Sequence, residues 1–172
     1  MERTKSLLER LPDFARDLRL NVTSMMEGGA LDLRQRYGVA VAAAASSPHA
    51  ELREALVLDA GDAGVEPGTV DDARAAAALM AMNNVYYRFR HQVGKESYAT
   101  KPARLRMARL GAPKSTKVDS ELFALAVSAI NGCEFCVKAH EDVVTKGGLT
   151  DEHVHDAVRL AAAVHAAARA LP

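Results

Sequence analysis

Cys133 and Cys136 are the only cysteines in the 172-residue chain, and they stand three apart. One pair cannot make a disulfide framework; at this spacing it points to redox chemistry or to half of a metal site. His140 follows one helical turn after Cys136. If a helix opens near Cys133, then Cys133, Cys136 and His140 fall at i, i+3 and i+7, along one stripe. Both thiols then lie in the first turn, where unpaired N–H groups and the positive end of the dipole favour a thiolate. An ordinary thiol, with a pKa of about 8.5, is only about 3% ionised at pH 7; lowering it by about two units raises that fraction roughly twentyfold. His140 can take the Cys136 proton directly or through a water. A carboxylate against the imidazole favours imidazolium and orients the ring. Glu121, on the preceding helix, is the candidate if a break at Gly132 folds that helix back.

Other chemistries fit less well. A c-type haem site needs histidine directly after the second cysteine, where this chain has Val137. Zinc held by Cys133, Cys136, His140 and Glu121 is conceivable, but no second Cys/His pair completes the usual structural site. His153, His155 and His165 read as solvated helix residues. There is no P-loop and no GxGxxG. Arg88, Arg90 and His91 form a basic cluster, yet Tyr86, Tyr87 and Phe89 around them suit packing or an interface better than nucleic-acid readout.

The elements that must position these groups read as helices throughout. Alanine makes up about a fifth of the chain, aromatics 5%, and tryptophan is absent. Alanine has the best helix propensity, and runs of alternating β-branched and polar residues are missing. The fold class is therefore all-α. Balanced charge, 22 Lys+Arg against 22 Asp+Glu, argues against general affinity for nucleic acid or anionic lipid. No apolar run is long enough to span a bilayer, and the N-terminus lacks the order of a secretory signal, so a cytoplasmic protein is expected. Small side chains bury little area each, which predicts oligomerisation to complete the core.

Along the chain, Thr4 to Arg10 predicts a short helix, and Pro12 starts a second reaching about Met26. Asp32 caps a helix to Ala45, and another runs from about Pro48 to Asp59. Thr69-Val70-Asp71-Asp72 has the capping-box pattern and predicts the start of a long helix to about Gln92. Ser97 to Pro102 reads as irregular and Ala103 to Leu110 as a short helix. Thr116 or Asp119 caps a helix over Ser120–Asn131. Cys133 opens the next, which stops at Gly147-Gly148, and Thr150 caps the last, from Asp151 to about Ala170. The two halves share an order of helices, which suggests an internal helical duplication with Ser46-Ser47 near the place of Cys133. One domain spans residues 1–172, its cysteine-bearing half covering about 103–172.

With these residues in view, the chain resembles the alkylhydroperoxidase D (AhpD) family of the carboxymuconolactone decarboxylase superfamily. The likeness covers nearly the whole chain. It includes Leu11-Pro12-Asp13-Phe14-Ala15, Met82-Asn83-Asn84-Val85-Tyr86-Tyr87-Arg88 and, most specifically, Glu-x11-Cys-x2-Cys-x3-His at Glu121, Cys133, Cys136 and His140. The resemblance implies a compact helical fold, usually a homotrimer, with antioxidant hydroperoxide reductase and disulfide reductase activity. It implies that Cys136 attacks peroxide and becomes a sulfenic acid, while Cys133 donates its proton and closes the disulfide. Glu121 and His140 would form the proton relay. No bound cofactor is implied. The reductant would be dihydrolipoamide on an acyltransferase, served by dihydrolipoamide dehydrogenase, and the partner to be regenerated would be the peroxiredoxin alkyl hydroperoxide reductase C. Helix-start position alone would make Cys133 the nucleophile; the family roles and the offset of His140 favour Cys136. Some members have histidine just before the second cysteine, where this chain has Phe135, an apolar neighbour that tends to raise a thiol pKa. Three other readings remain at this point: a dithiol adaptor with little peroxidase activity of its own, a lactone decarboxylase, and a zinc-stabilised interaction module.

Overall fold

The computed structural model describes residues 1–172 and contains nine α-helices and no strand. These are α1 (Glu2–Leu8), α2 (Arg16–Glu27), α3 (Leu33–Ala45), α4 (Ala50–Asp62), α5 (Pro67–Val93), α6 (Glu96–Ala99), α7 (Lys117–Ile130), α8 (Glu134–Lys146) and α9 (Asp151–Ala170). None is long and apolar enough to cross a membrane.

The centre is built on α3 and α7. In α3 every residue from Val39 to Ala44 is fully buried, and in α7 Leu122 to Val127 are buried too. A helix apolar on all sides must be surrounded, and these two are. They pack on each other; α5 and α9 flank both, while α4 covers α3 and α8 covers α7. The order α3–α4–α5 thus recurs as α7–α8–α9, with the third helix of each half laid against the first helix of the other.

Most starts and stops follow local chemistry. Asp32 accepts from the Gln35 N–H (2.8 Å) while the Gln35 side chain accepts from the Asp32 N–H (3.1 Å), a reciprocal capping box. Thr116 caps α7 by accepting from the Asp119 N–H at 3.0 Å. At α9 the Thr150 N–H donates to His153 Nδ1 at 3.2 Å, so His153 works in the cap.

Several expected boundaries are corrected. The long helix begins at Pro67 rather than after Thr69, because proline at the first helical position has its φ already set. Thr69 is then a buried third-position residue, and the Asp72 carboxylate serves another segment altogether. Pro12 leads into a 3₁₀ turn, Asp13–Ala15, before α2 starts. The short helix lies at Glu96–Ala99, where irregular chain was expected, and Ala103–Leu110 contributes only a 3₁₀ turn at Ala108–Gly111.

Candidate active site

The α7–α8 turn makes the site. Helix α7 ends at Ile130, and Gly132, with φ +65°, takes the left-handed conformation that reverses the chain. The Cys133 N–H donates back to the Ser128 carbonyl at 3.1 Å, which fixes the turn. Cys133 is the N-cap of α8, one position short of the helix, and Cys136 is its third residue. The two are joined as a disulfide with Cα atoms 5.3 Å apart. Both cysteines are buried, Cys133 completely and Cys136 to within 4%.

The fold-back expected of Gly132 occurs. Helix α8 lies along α7, and His140 Nδ1 meets Glu121 Oε2 at 2.5 Å. Both side chains are largely buried. The other carboxylate oxygen, Oε1, accepts from Lys117 Nζ, which also donates to the Leu110 carbonyl at 3.2 Å. Burial pushes the Glu121 carboxyl up, but the bonds and charges of His140 and Lys117 outweigh it and leave the group below its ordinary range. With Nδ1 occupied by an anion, Nε2 is the ring nitrogen left for proton exchange. All four groups predicted from the sequence therefore belong to the one α7–α8 hairpin.

Helix α5 braces this hairpin with residues the sequence did not single out for chemistry. Asn84, fully buried, donates to Ser128 Oγ at 3.0 Å and accepts from Asn131 Nδ2 at 2.9 Å. Arg88 donates to the Asn131 carbonyl. The available signals were the asparagine pair that follows an alanine-rich stretch of the helix and the presence of Asn84 and Arg88 in the Met82–Arg88 segment that carries the family likeness. Phe135 stacks on Tyr87 with centroids 5.4 Å apart and planes 17° from parallel. Together with Arg90, His91 and Lys95 these rings line a cavity of about 450 Å³ beside the start of α8. A larger cleft, about 520 Å³ between α1 and α4, has no cysteine in its lining.

The basic cluster is used in packing, as expected: Arg90 lies over Tyr86 and Tyr87 at 5.6 and 5.8 Å from the ring centres. His155 is exposed. His165 is not the solvated residue expected; it is half-buried, with Nδ1 3.0 Å from Ser47 Oγ, and burial lowers its pKa. The sulfurs are bonded to each other, and no group of three or more His, Cys, Asp or Glu side chains is arranged to hold a metal ion.

Comparison with known proteins gives this geometry its relatives. Residues 97–171 match the carboxymuconolactone decarboxylase family. Over 166 residues, 96% of this chain and 89% of the relative, the sequence is 60% identical to a protein of Anaeromyxobacter sp. (strain K) named alkyl hydroperoxide reductase AhpD. The chain belongs to the AhpD family. A Brucella canis relative of the same name is 48% identical over 165 residues, covering 96% of this chain and 94% of its own. The AhpD likeness thus extends well beyond the segment matched by the wider family, taking in α5 and the central helix α3 as well as the cysteine-bearing hairpin.

Proposed function

We propose that the protein is an alkyl hydroperoxide reductase that cycles Cys133 and Cys136 between dithiol and disulfide. The observation that carries this reading is the Cys133–Cys136 disulfide at the start of α8, four residues before a histidine paired with a buried carboxylate. The name shared by its relatives supports it.

In the reduced state Cys136 gives its proton to His140, with Glu121 holding the ring. The Cys136 thiolate attacks the terminal peroxide oxygen; the O–O bond breaks, the sulfur becomes a sulfenic acid, and the alkoxide leaves as alcohol after taking a proton from Cys133. The Cys133 thiolate then attacks the sulfenic acid, the S–O bond breaks, and the departing hydroxide takes the proton held on His140 and leaves as water as the disulfide forms. Two electrons and two protons from a dithiol restore the start. We assign dihydrolipoamide as that dithiol, borne on an acyltransferase and recharged by dihydrolipoamide dehydrogenase. We assign an alkyl hydroperoxide reductase C peroxiredoxin as the partner the protein regenerates in the cytoplasm under oxidative stress. The proposed assembly is a homotrimer, which would complete a core of small side chains; a sedimentation mass of one 18.4 kDa chain would remove that part.

Cys136→Ser should abolish reduction of cumene hydroperoxide with dihydrolipoamide and leave no sulfenic acid to trap with dimedone. Cys133→Ser should also stop turnover but leave a dimedone adduct at Cys136. Full activity in Cys136→Ser would sink the reading. A second reading, a dithiol adaptor with little peroxidase activity of its own, draws on two observations: the near-complete burial of both cysteines and the apolar Phe135 directly before Cys136 in the chain. It expects brisk turnover only when the peroxiredoxin is added. Lactone decarboxylation gains nothing from a closed pair of thiols.

A further inference from the structure

Lys117 occupies an electrostatically awkward place. It is the first residue of α7, where the positive end of the helix dipole disfavours a cation. Its ammonium is nevertheless held there by two acceptors, the Leu110 carbonyl at 3.2 Å and Glu121 Oε1. The lysine thereby ties the 3₁₀ turn at Ala108–Gly111 to the acid behind His140.

We infer that Lys117 is a positioning residue for proton transfer: it keeps Glu121 a permanent carboxylate, so that the Cys136 proton ends on His140 and not on the acid. The inference rests on the proposed roles of Cys136, His140 and Glu121. Its first support is geometric. Glu121 has two oxygens, and each already has a donor, Lys117 on Oε1 and His140 on Oε2. A proton arriving on the acid would turn it into a neutral, weaker acceptor and so weaken both of these bonds. Its second support is charge. With the Cys136 proton on Nε2 and Nδ1–H still donated to Glu121, the cluster holds lysine and imidazolium against carboxylate and thiolate, and sums to zero. The transfer itself does not change this sum. Without Lys117, however, each loss of a proton to solvent leaves the cluster one charge more negative in a largely buried place, which raises the pH at which the thiolate appears. Burial alone would push Glu121 upward, toward sharing the proton; the bonds and charges of His140 and Lys117 reverse that direction. Lys117 itself is half exposed, so its ion pair contributes little to overall stability.

The test follows iodoacetamide alkylation of the reduced full-length protein from pH 5 to 9, with the modified cysteine identified by peptide mass. Lys117→Met should move the Cys136 midpoint up by about 0.5 pH unit, equivalent to about threefold less thiolate at pH 7, with the thermal midpoint nearly unchanged. Lys117→Gln removes the same charge should the methionine variant not fold. Lys117→Arg should keep both contacts and match the wild type. Glu121→Gln separates the two levels of the argument. If Lys117→Met matches the wild type while Glu121→Gln is slowed, the lysine's role is overturned and the peroxidase reading stands. If both match the wild type, the roles given to Glu121 and His140 fall as well. A Lys117→Arg variant as slow as Lys117→Met would also overturn the inference, since charge would not be what matters.

Discussion

Asn84 shows how much a single polar side chain can organise. Its amide bonds Ser128 through nitrogen and Asn131 through oxygen, and the backbone of Ser128 receives the Cys133 N–H. Truncation to alanine leaves the fully buried Ser128 hydroxyl without this donor. Leaving such a group unsatisfied costs about 1–3 kcal/mol. Asn84→Ala should therefore unfold at lower denaturant with an unchanged slope, and should close the Cys133–Cys136 disulfide more slowly because the turn has lost its brace. Wild-type values for both midpoint and closure rate would refute this. The residue illustrates where the site was legible. Cys133, Cys136 and His140 sit within eight positions of each other, so helix periodicity alone aligns them. Glu121 required only one further inference, that Gly132 reverses the chain. Asn84 and Arg88 act across 47 and 43 positions, from a helix whose placement no local pattern specifies.

Between elements, the decisive contact is the crossing of α3 and α7. Gly38 in α3 faces the ring of Phe123 in α7, and a Cβ at Gly38 would lie 2.1 Å from Phe123 Cζ. The backbone is ordinary helix there, so the glycine is needed for space and not for a special conformation. Gly38→Ala sets two effects against each other. Helix propensity improves by about 1 kcal/mol. Overpacking costs about 1–3 kcal/mol or more, because Phe123 is fully buried and has nowhere to go. The clash should win, giving a lower thermal midpoint; a stabilised variant would show that the helices part freely at this crossing. At this scale the sequence was most informative where a side chain closes the helix itself, as at Asp32 and Thr116. It misled where a capping pattern, Thr69 to Asp72, was outcompeted by Pro67 two residues earlier. It also misplaced the short helix between residues 94 and 112, a stretch with weak periodicity that is held by tertiary contacts.

Two buried carboxylates tie the N-terminal helix and the irregular chain before α7 to the helical body. Asp59, 1% exposed, accepts from the Arg3 and Thr4 N–H groups at 3.2 and 2.8 Å and so anchors α1. Asp72, 2% exposed, accepts from the Lys114 N–H at 3.2 Å and from both the N–H and hydroxyl of Ser115 at 2.6 Å, and pairs with Arg109. It thereby fastens the chain leading into α7, whose first residue contacts Glu121. Burial pushes the Asp72 carboxyl up, but the bonds from Ser115 and Lys114 and the Arg109 charge prevail and hold it below the ordinary aspartate value. A carboxyl depressed in the folded state adds stability that is fully present above its unfolded value of about 3.9 and is lost as pH falls through the lower folded value. Asp72→Asn keeps the shape and removes the charge, so the bonds from Lys114, Ser115 and Arg109 lose their anionic acceptor, at a cost of about 1.5–3 kcal/mol near neutrality. The difference between wild type and Asp72→Asn should then be largest above about pH 5 and shrink steadily below about pH 4, since only the wild type has a proton to gain there. Denaturant midpoints measured at pH 7 and pH 3 decide the matter: a gap of the same size at both would mean that the contribution of Asp72 comes from shape and neutral hydrogen bonds rather than from its charge.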